Sequence, residues 1–494
     1  MSDSSSQSNR ALIEGPEQAT STWTHEGERR WLYPTPSNGK FWTARLVVGW
    51  LLIALFTALP IVQIGGKPAV FLDLMTRRFT IFGATFHATD TIFLMLFLLT
   101  GLMTVGLLTA LLGRVWCGWG CPQTVYLEFV YRPIERLVEG SENKRKNRDE
   151  GPWTFDKIWR KGVKHTLFLA VALGLAHTFV AYFVGWHRLI DWMTSPPTEH
   201  FGYFFMMAFT TGLIMFDFAY FREQMCVTIC PYAKLQSVLM DRDSMIVSYD
   251  PNRGEPRGRR TREQRKEEAD GVELDLGDCI DCGACVRPSP TGIDIREGLQ
   301  LECVSCTQCI DACDDIMRKV DKPEGLIRYT SENALEGEET NIIRPRVILY
   351  AALLLVAAGT LGFLLTTAGP VEVDLRRAPG TAFTRLENAG GQIANHVRFR
   401  VRNNTDKPVT YSVEALEPGE ASMKMIGPGE LEIAPGDMDR IKAWVLLPES
   451  AFQGGSAKAS FKLYGDGEEL KTVSMEMLGP DTATDKPSND STEE

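Results

Sequence analysis

Residues 279–313 read CIDCGACVRPSPTGIDIREGLQLECVSCTQCIDAC. Seven cysteines occur in this stretch, first as Cys-x2-Cys-x2-Cys and then as Cys-x2-Cys-x2-Cys-x3-Cys. Gaps of two residues let a turn of backbone bring three thiolates around one iron–sulfur cluster, with backbone amides facing its sulfides. Zinc is the competing metal, but a tetrahedral zinc site closes with four ligands and does not need threefold repeats. The spacing therefore predicts an α+β ferredoxin-like domain with two 4Fe-4S clusters.

The cluster ligands follow from the way two-cluster ferredoxins share their cysteines. In such proteins the fourth cysteine of each run ligates the cluster of the other run. The first cluster is then expected on Cys279, Cys282, Cys285 and Cys313. The second is expected on Cys303, Cys306 and Cys309, and its fourth position falls on Ser289, in front of Pro290. Because a serine stands where a cysteine is expected, we predict a second cluster that is incomplete, labile or shifted in potential.

Long apolar segments alternate with charged ones over the 494 residues, which accounts for a mean hydropathy of −0.10. Five segments have the length and low charge of transmembrane helices: residues 46–64, 91–112, 166–186, 201–220 and 347–368. The formal charge of −11 excludes a general nucleic-acid-binding protein. The sequence therefore predicts a multi-domain protein that spans the lipid bilayer with five α-helices.

The orientation in the membrane follows from the lysines and arginines. These residues cluster before the first predicted span and between the second and third. Because cytoplasmic loops carry the excess of basic residues, we expect a cytoplasmic N-terminus and cysteine-rich domain, with the C-terminal domain on the opposite side of the membrane. The predicted domains are a tail (1–43), a four-span domain (44–221), a linker with the ferredoxin-like domain (222–346), the fifth span (347–368), a C-terminal domain (369–480) and a disordered acidic tail (481–494).

The C-terminal domain has the pattern of strands. Residues 370–478 contain short alternating runs such as HVRFRV at 396–401, separated by turn signals such as Asn403-Asn404. This segment contains no cysteine and no cluster of histidines or carboxylates that would bind a metal. An all-β sandwich without a catalytic site is predicted.

Two further cysteine pairs each follow a predicted span, in WCGWGCP (116–122) and MCVTICP (225–231). Because both spans leave the membrane on the same side, four thiols are expected at one membrane face: Cys117, Cys121, Cys226 and Cys230. Proline suits the first position of a helix, so Cys121 and Cys230 are expected at helix N-termini, where the dipole lowers the pKa of a thiol.

Three interpretations of these thiols remain open. They are buried cysteines without chemistry, a disulfide within each pair, or a metal site for copper(I), zinc or an iron–sulfur cluster, which soft thiolates favour. Asp217, near the end of the fourth span, is a candidate functional carboxylate, and a pairing with Arg222 is its structural alternative.

Together these motifs resemble the FixG/CcoG/RdxA family, accessory proteins for assembly of the cbb3-type cytochrome c oxidase. The resemblance covers residues 30–478 and is carried by the segment from Arg114 to Glu135, by the run from Arg222 to Cys230-Pro231, and by the cysteines that flank GIDIR at 292–296. It implies an immunoglobulin-like fold for the C-terminal β-sandwich.

The resemblance also implies a function. Delivery of copper to the oxidase is expected, with reduction of Cu(II) to Cu(I) as the activity of a cupric reductase. By position, Cys117, Cys121, Cys226 and Cys230 are the copper-binding and catalytic candidates. The implied partners are oxidase assembly factors or a copper chaperone, and a cytoplasmic electron donor. A weaker resemblance to membrane ferredoxins of nitrate reduction keeps a quinol-linked electron carrier as an alternative, and a non-catalytic assembly scaffold is a third.

Overall fold

The computed structural model describes residues 22, 29–64, 66–73, 78–87, 91–264, 275–367, 369, 371–386, 392–405, 407–417 and 421–480. The acidic tail predicted over 481–494 lies outside the described residues. The chain divides into two compact units, residues 1–361 and 362–494.

The helices, in chain order, are α1 (Lys40–Ala58), α2 (Thr91–Leu112), α3 (Val115–Trp119), α4 (Pro122–Tyr126), α5 (Arg132–Glu139), α6 (Glu142–Glu150), α7 (Phe155–Val184), α8 (Trp186–Thr194), α9 (Phe201–Met215), α10 (Pro231–Leu239), α11 (Pro251–Gly254), α12 (Gln308–Lys319), α13 (Glu332–Leu335) and α14 (Pro345–Thr367). Within the described part of the chain, five of them are long and apolar enough to cross a membrane: α1, α2, α7, α9 with its extension to Phe221, and α14. The five predicted spans are thereby confirmed.

Two spans differ from their predicted positions. The first helix runs from Lys40 to Ala58 and ends two residues before Pro60, since a helix usually ends at or before the residue preceding a proline. The third begins at Phe155, where the Thr154 side chain accepts a hydrogen bond from the Lys157 backbone. The first turns of this helix carry charged residues, so a prediction based on uncharged segments places its start later in the chain.

Three π-helical segments flank the Cys-x3-Cys-Pro motifs. Leu127–Tyr131 joins α4 to α5, Phe216–Phe221 extends α9, and Met225–Ile229 carries the first cysteine of the second motif. Such segments interrupt regular helices, often at functional sites. Here one segment follows the first motif, one precedes the second motif and one lies within it.

The cysteine-rich segment is an α+β structure. Strand β6 (Ile246–Tyr249) pairs antiparallel with β7 (Ile327–Thr330), and Ile246 lies opposite Thr330. Helix α12 packs against this pair, and Ile310 and Met317 join the buried core. The shorter strands β1–β5 (Gln63–Ile64, Lys67–Pro68, Val70–Asp73, Arg78–Ile81, Ala84–His87) precede α2.

The cysteine-rich segment and the membrane helices pack together in the first unit. The Asp311 carboxylate accepts hydrogen bonds from the backbone of Phe41 (3.2 Å) and Trp42 (2.7 Å) at the start of α1. Gly39 permits this approach, because a Cβ there would lie 2.1 Å from the Asp311 carboxyl carbon. The start of the first span is therefore fixed by the helix that carries Cys309 and Cys313.

The second unit is an antiparallel β-sandwich, as predicted. Its strands are β8 (Val371–Arg377), β9 (Thr384–Leu386), β10 (Gln392–Asn403), β11 (Val409–Glu417), β12 (Ser422–Ile426), β13 (Glu430–Ile433), β14 (Met438–Pro448), β15 (Ser456–Gly465) and β16 (Glu468–Leu478). One sheet has the order β12-β14-β10-β8, with β9 also paired to β10, and the other has the order β13-β11-β15-β16. Phe399 and Phe461 are fully buried between the sheets, with ring centroids 5.1 Å apart.

Candidate metal centres

The four cysteines expected to hold the first cluster line one cavity. The walls of this cavity include the first set, defined as Cys279, Cys282, Cys285 and Cys313. Cys282 is exposed and the other three are buried. The predicted ligands therefore converge on a space that opens to solvent at one side.

The backbone at both cysteine loops follows the same unusual pattern. Asp281 and Gly283, on either side of Cys282, have left-handed φ values of 50° and 63°. Ser305 and Thr307, on either side of Cys306, have φ values of 52° and 63°. Alternation of this kind turns backbone N–H groups toward one point and forms the concave anion site typical of iron–sulfur clusters. The repetition of a strained conformation in two loops fits two bound clusters.

In the second set, defined as Cys303, Cys306 and Cys309, the Cys306 side chain is buried and the other two are half-buried. Burial raises the pKa of each of these thiols. Repulsion from Cys303 adds to the rise for Cys306 and Cys309. Ser289 is also buried, and its hydroxyl accepts a hydrogen bond from the Ile293 backbone at 3.2 Å. The serine is thus engaged by the local turn, and its role as a cluster ligand stays a prediction.

The structure brings together the four membrane-face thiols, Cys117, Cys121, Cys226 and Cys230. Burial raises the pKa of Cys226, and repulsion from the other three thiolates raises it further. Burial likewise raises the pKa of Cys117 to about 12, and Cys121, Cys230 and Cys303 contribute to this rise. The Cys117 thiol donates a hydrogen bond to the Gln236 side chain at 3.1 Å. The two motifs therefore form one site, which borders the second set.

The expected lowering of the Cys121 pKa is wrong. Cys121 and Cys230 do precede helices that begin with Pro122 and Pro231. Burial nevertheless raises the pKa of Cys121, although the backbone N–H groups of Thr124 and Gln123 favour the thiolate. Helix α4 has five residues, so its dipole is too small to outweigh the loss of hydration.

The contact between the membrane-face thiols and the second set is direct. Cys117, Val304 and Cys306 share a buried apolar cluster, and Cys226 packs against it. Gly118 permits this contact, because a Cβ there would lie 2.6 Å from the Val304 carbonyl oxygen and 2.7 Å from that of Ser305. The sequence contains both motifs but does not indicate that they meet.

The donor atoms fit iron–sulfur clusters better than single ions. Among the described residues, no three His, Cys, Asp or Glu side chains are arranged closely enough to hold one metal ion. Thiolates around a four-iron cubane stand further apart, because each binds a different iron. Since burial raises the thiol pKa values, a positively charged partner is needed to hold the cysteines as thiolates.

Asp217 does not pair with Arg222. Its carboxylate accepts a hydrogen bond from the Gln123 side chain at 3.1 Å, and that side chain also donates to the Arg222 carbonyl oxygen at 3.0 Å. The Arg222 guanidinium instead forms an ion pair with Glu135 at 2.8 Å. Asp217 contributes to the raised pKa values of Cys121 and Cys226, which places its charge beside the membrane-face thiols.

Ion pairs anchor the helix that follows the first motif. Glu128 and Glu223 contact the fully buried Arg132. Further along, Glu139 pairs with Lys161 at 3.0 Å and Lys164 at 3.2 Å. The sequence analysis missed this network, although the four-residue spacing of Glu128 and Arg132 on one helix is a detectable signal.

Two arginines near the second set were also missed. Arg45 is fully buried in α1, and its Nε donates to the Gly118 carbonyl oxygen at 2.9 Å. Arg114 donates to the carbonyl oxygens of Cys303 at 3.3 Å and Ala233 at 2.6 Å. Arg45 directly precedes the first predicted span, and a basic residue in that position is expected to lie at the membrane surface. The sequence therefore did not indicate that Arg45 is buried.

Comparison with known families supports the iron–sulfur interpretation. Residues 221–332 match the model of a 4Fe-4S dicluster domain, and residues 94–140 match that of a 4Fe-4S binding domain. Residues 361–480 match the IG-like fold at the C-terminal of FixG. The second match includes Cys117 and Cys121, so the first membrane motif itself belongs to an iron–sulfur domain model.

Curated relatives match most of the chain. Nitrogen fixation protein FixG of Rhizobium meliloti is 27% identical over 89% of this chain and 90% of that protein. Protein RdxA of Cereibacter sphaeroides is 31% identical over 75% of this chain and 79% of that protein, and protein RdxB of the same organism is 30% identical over 83% and 86%. With its five apolar helices and two iron–sulfur domains, the chain belongs to the FixG/RdxA family of multi-pass, iron–sulfur electron-transfer proteins.

Proposed function

We propose that this protein reduces Cu(II) to Cu(I) during assembly of the cbb3-type cytochrome c oxidase. In this proposal, the protein lies in the bacterial inner membrane with its cysteine-rich segment in the cytoplasm and its β-sandwich in the periplasm. A soluble one-electron donor reduces the first set, the membrane-face thiols bind copper, and an assembly factor or copper chaperone receives the product.

The observation that carries the proposal is the continuous line of thiols. Cys282 of the first set is exposed, where a soluble donor has access. Cys285 of the first set contributes to the raised pKa of Cys309, so the first and second sets adjoin. Cys306 of the second set packs with Cys117 in one buried cluster. The three groups therefore form a path from the solvent-exposed surface to the membrane-face thiols.

The chemistry of the membrane-face thiols suits the product. A bound iron–sulfur cluster supplies one electron at a time, and the conversion of Cu(II) to Cu(I) consumes one. The electron transfer itself breaks no covalent bond. The donor loses one electron, and Cu(II) gains it. Soft thiolates favour Cu(I) over Cu(II), so copper binding at Cys117 and Cys226 makes the reduction easier. Because burial raises the pKa of both thiols, copper binding releases their protons.

The test is an anaerobic cupric reductase assay on the purified full-length protein. The protein is reduced with dithionite, freed of excess reductant, mixed with Cu(II) and followed with a Cu(I)-specific chelator. The intact protein should form Cu(I) as its cluster absorbance bleaches, and a variant with all four membrane-face thiols changed to Ala should not. Thr228→Val is the matched control, because Thr228 lies between Cys226 and Cys230 and bonds only to the Gln224 side chain in the described contacts.

Two results would oppose the proposal. Reduced clusters that form no Cu(I) would shift the assignment to quinol-linked electron transfer, which reduction of the clusters by a quinol analogue would then support. A chain that lacks all cluster cysteines but still supports oxidase assembly would favour a scaffold.

A second occupant of the membrane-face thiols is favoured by one observation. The 4Fe-4S binding domain model matches residues 94–140, which contain Cys117 and Cys121. A third cubane on the four thiols would extend the same electron path without binding copper. Iron analysis separates the two cases, since two cubanes supply about eight iron atoms per chain and three supply about twelve. Iron that falls by a third in the four-Ala variant would identify a third cluster.

A further inference from the structure

Arg45 carries a buried positive charge that no carboxylate in the described part of the chain neutralises by an ion pair. The side chain is fully buried, and the Nε atom donates to the Gly118 carbonyl oxygen. Neither Nη1 nor Nη2 has a hydrogen-bond partner among the described residues. The Phe129 ring lies 5.5 Å from the guanidinium, which contributes a weak cation–π contact. A buried guanidinium in this state is costly unless an anion lies beside it.

The second set lies beside Arg45. Burial raises the pKa of Cys306, and the charge of Arg45 is the largest influence that opposes this rise. Gly118, which accepts the Arg45 hydrogen bond, packs directly on the backbone of Val304 and Ser305. The guanidinium therefore faces the loop that carries Cys306. A cubane held by thiolates has a net negative charge, so it is an anion of the kind that Arg45 requires.

The other charges near Cys306 are already compensated. Arg132 also opposes the raised pKa of Cys306, but it pairs with Glu128 and Glu223. Asp311 contributes a negative charge near Arg45, but its carboxylate is engaged by the backbone at the start of α1. Arg114, near Cys303, also forms no ion pair in the described region, but its guanidinium donates to the carbonyl oxygens of Cys303 and Ala233. Arg45 is thus the guanidinium beside the second set whose two Nη atoms lack partners among the described residues.

The first set has a different environment. Arg296 opposes the raised pKa of Cys285, so it lies near the first set. Its guanidinium is paired with Asp294 at 2.6 Å and with Asp281 at 2.6 Å. Two carboxylates therefore neutralise the arginine at the first set, whereas Arg45 forms no ion pair in the described region. The two clusters, though held by similar loops, experience different local charges.

We propose that Arg45 is a positioning residue that raises the reduction potential of the second cluster relative to the first. Net charge and solvent exposure set the potential of a cubane. Burial of the second set disfavours the extra electron, and the uncompensated charge of Arg45 offsets this penalty. An electron that enters at the first set then moves to the second. The first cluster would lose that electron and the second would gain it. No bond breaks and no proton moves.

The inference rests on the electron-transfer part of the proposed function and is independent of copper. Its test is an anaerobic redox titration of the full-length protein in detergent, with the two reduced clusters followed by electron paramagnetic resonance. In Arg45→Gln, the reduction equilibrium of one cluster should become at least about tenfold less favourable, a shift of about 59 mV for a one-electron couple. The other cluster should keep its midpoint.

Arg296→Gln is the matched variant at the first set. Removal of its charge leaves Asp294 and Asp281 uncompensated, so the midpoint of the other cluster should fall. Unchanged midpoints in Arg45→Gln, or equal shifts of both clusters, would overturn the inference. If Arg45→Gln does not retain the second cluster, the same titration is made with Arg45→Lys, which keeps the positive charge. Retention at the wild-type midpoint supports the role of charge, and loss of the cluster shows that the hydrogen bond to Gly118 matters instead. Failure of copper reduction would leave these midpoints unaffected.

Discussion

Gly118→Ala should separate the first membrane motif from the second set. The new methyl group would lie 2.6 Å from the Val304 carbonyl oxygen and 2.7 Å from the Ser305 carbonyl oxygen, where ordinary contacts begin at 3.4 Å. The backbone must therefore move by about 0.8 Å, because neither carbonyl belongs to a flexible side chain. Overpacking of this kind costs about 1–3 kcal/mol. The same movement lengthens the hydrogen bond from Arg45 to Gly118.

The assay follows thermal unfolding in detergent by circular dichroism, together with cluster absorbance and iron retention. Gly118→Ala should unfold at a lower temperature and lose iron faster. The control is Gly162→Ala in α7, where a Cβ meets nothing within 4 Å. Ala in a helix interior is favoured over Gly by up to about 1 kcal/mol, so this variant should be as stable as the wild type or more stable. Wild-type stability and iron retention in Gly118→Ala would refute the argument that the two backbones are in close contact.

Two further outcomes are expected. Phe399→Ala should lower the unfolding free energy of the β-sandwich by about 3–5 kcal/mol, since Phe399 is fully buried. Limited proteolysis should cut the β-sandwich of this variant faster than that of the wild type. A simultaneous loss of the clusters would contradict the separation into two units. Asp149→Asn should remove a pH-dependent stabilisation. Burial raises the pKa of Asp149, but hydrogen bonds from Lys161 and Tyr33 outweigh it and hold that pKa below its ordinary value of 3.8. The stabilisation is therefore present at neutral pH and lost as the pH falls through the lowered pKa. Unfolding measured against pH should show the wild type and variant converging in acid, and an equal difference at every pH would disprove the linkage.

The elements that local pattern determines were predictable from sequence. From Asn395 to Val401, strand β10 alternates buried and half-buried residues, and this period of two follows from strand geometry wherever one face meets a core. The spans were predictable because about 20 apolar residues suffice to cross a membrane. The convergence of the first set on one cavity was predictable because a cubane requires closely spaced thiolates.

The features that depend on long-range contact were not predictable. Arg45 and Cys306 are far apart in the chain, and nothing in the composition around Arg45 indicates that it faces a thiol. The direction of the Cys121 pKa shift was predicted incorrectly because burial is a tertiary property, whereas helix position is a local one. The pairing of Arg222 with Glu135 rather than Asp217 likewise depends on how α5 packs beside the end of the fourth span. Each of these outcomes is decided by which side chains the fold excludes from water.

The hydrogen bond between Asp311 and the start of α1 has a consequence for biosynthesis. The carboxylate follows its partner Phe41 by 270 residues. At a synthesis rate of 5–20 residues per second, roughly 14 to 54 seconds separate the appearance of the first span from that of the residue that caps it. During this interval the backbone N–H groups of Phe41 and Trp42 lack the carboxylate that accepts from them in the folded protein. The contact that fixes the start of the first span can therefore form only after the polypeptide that bears Cys309 and Cys313 has been made.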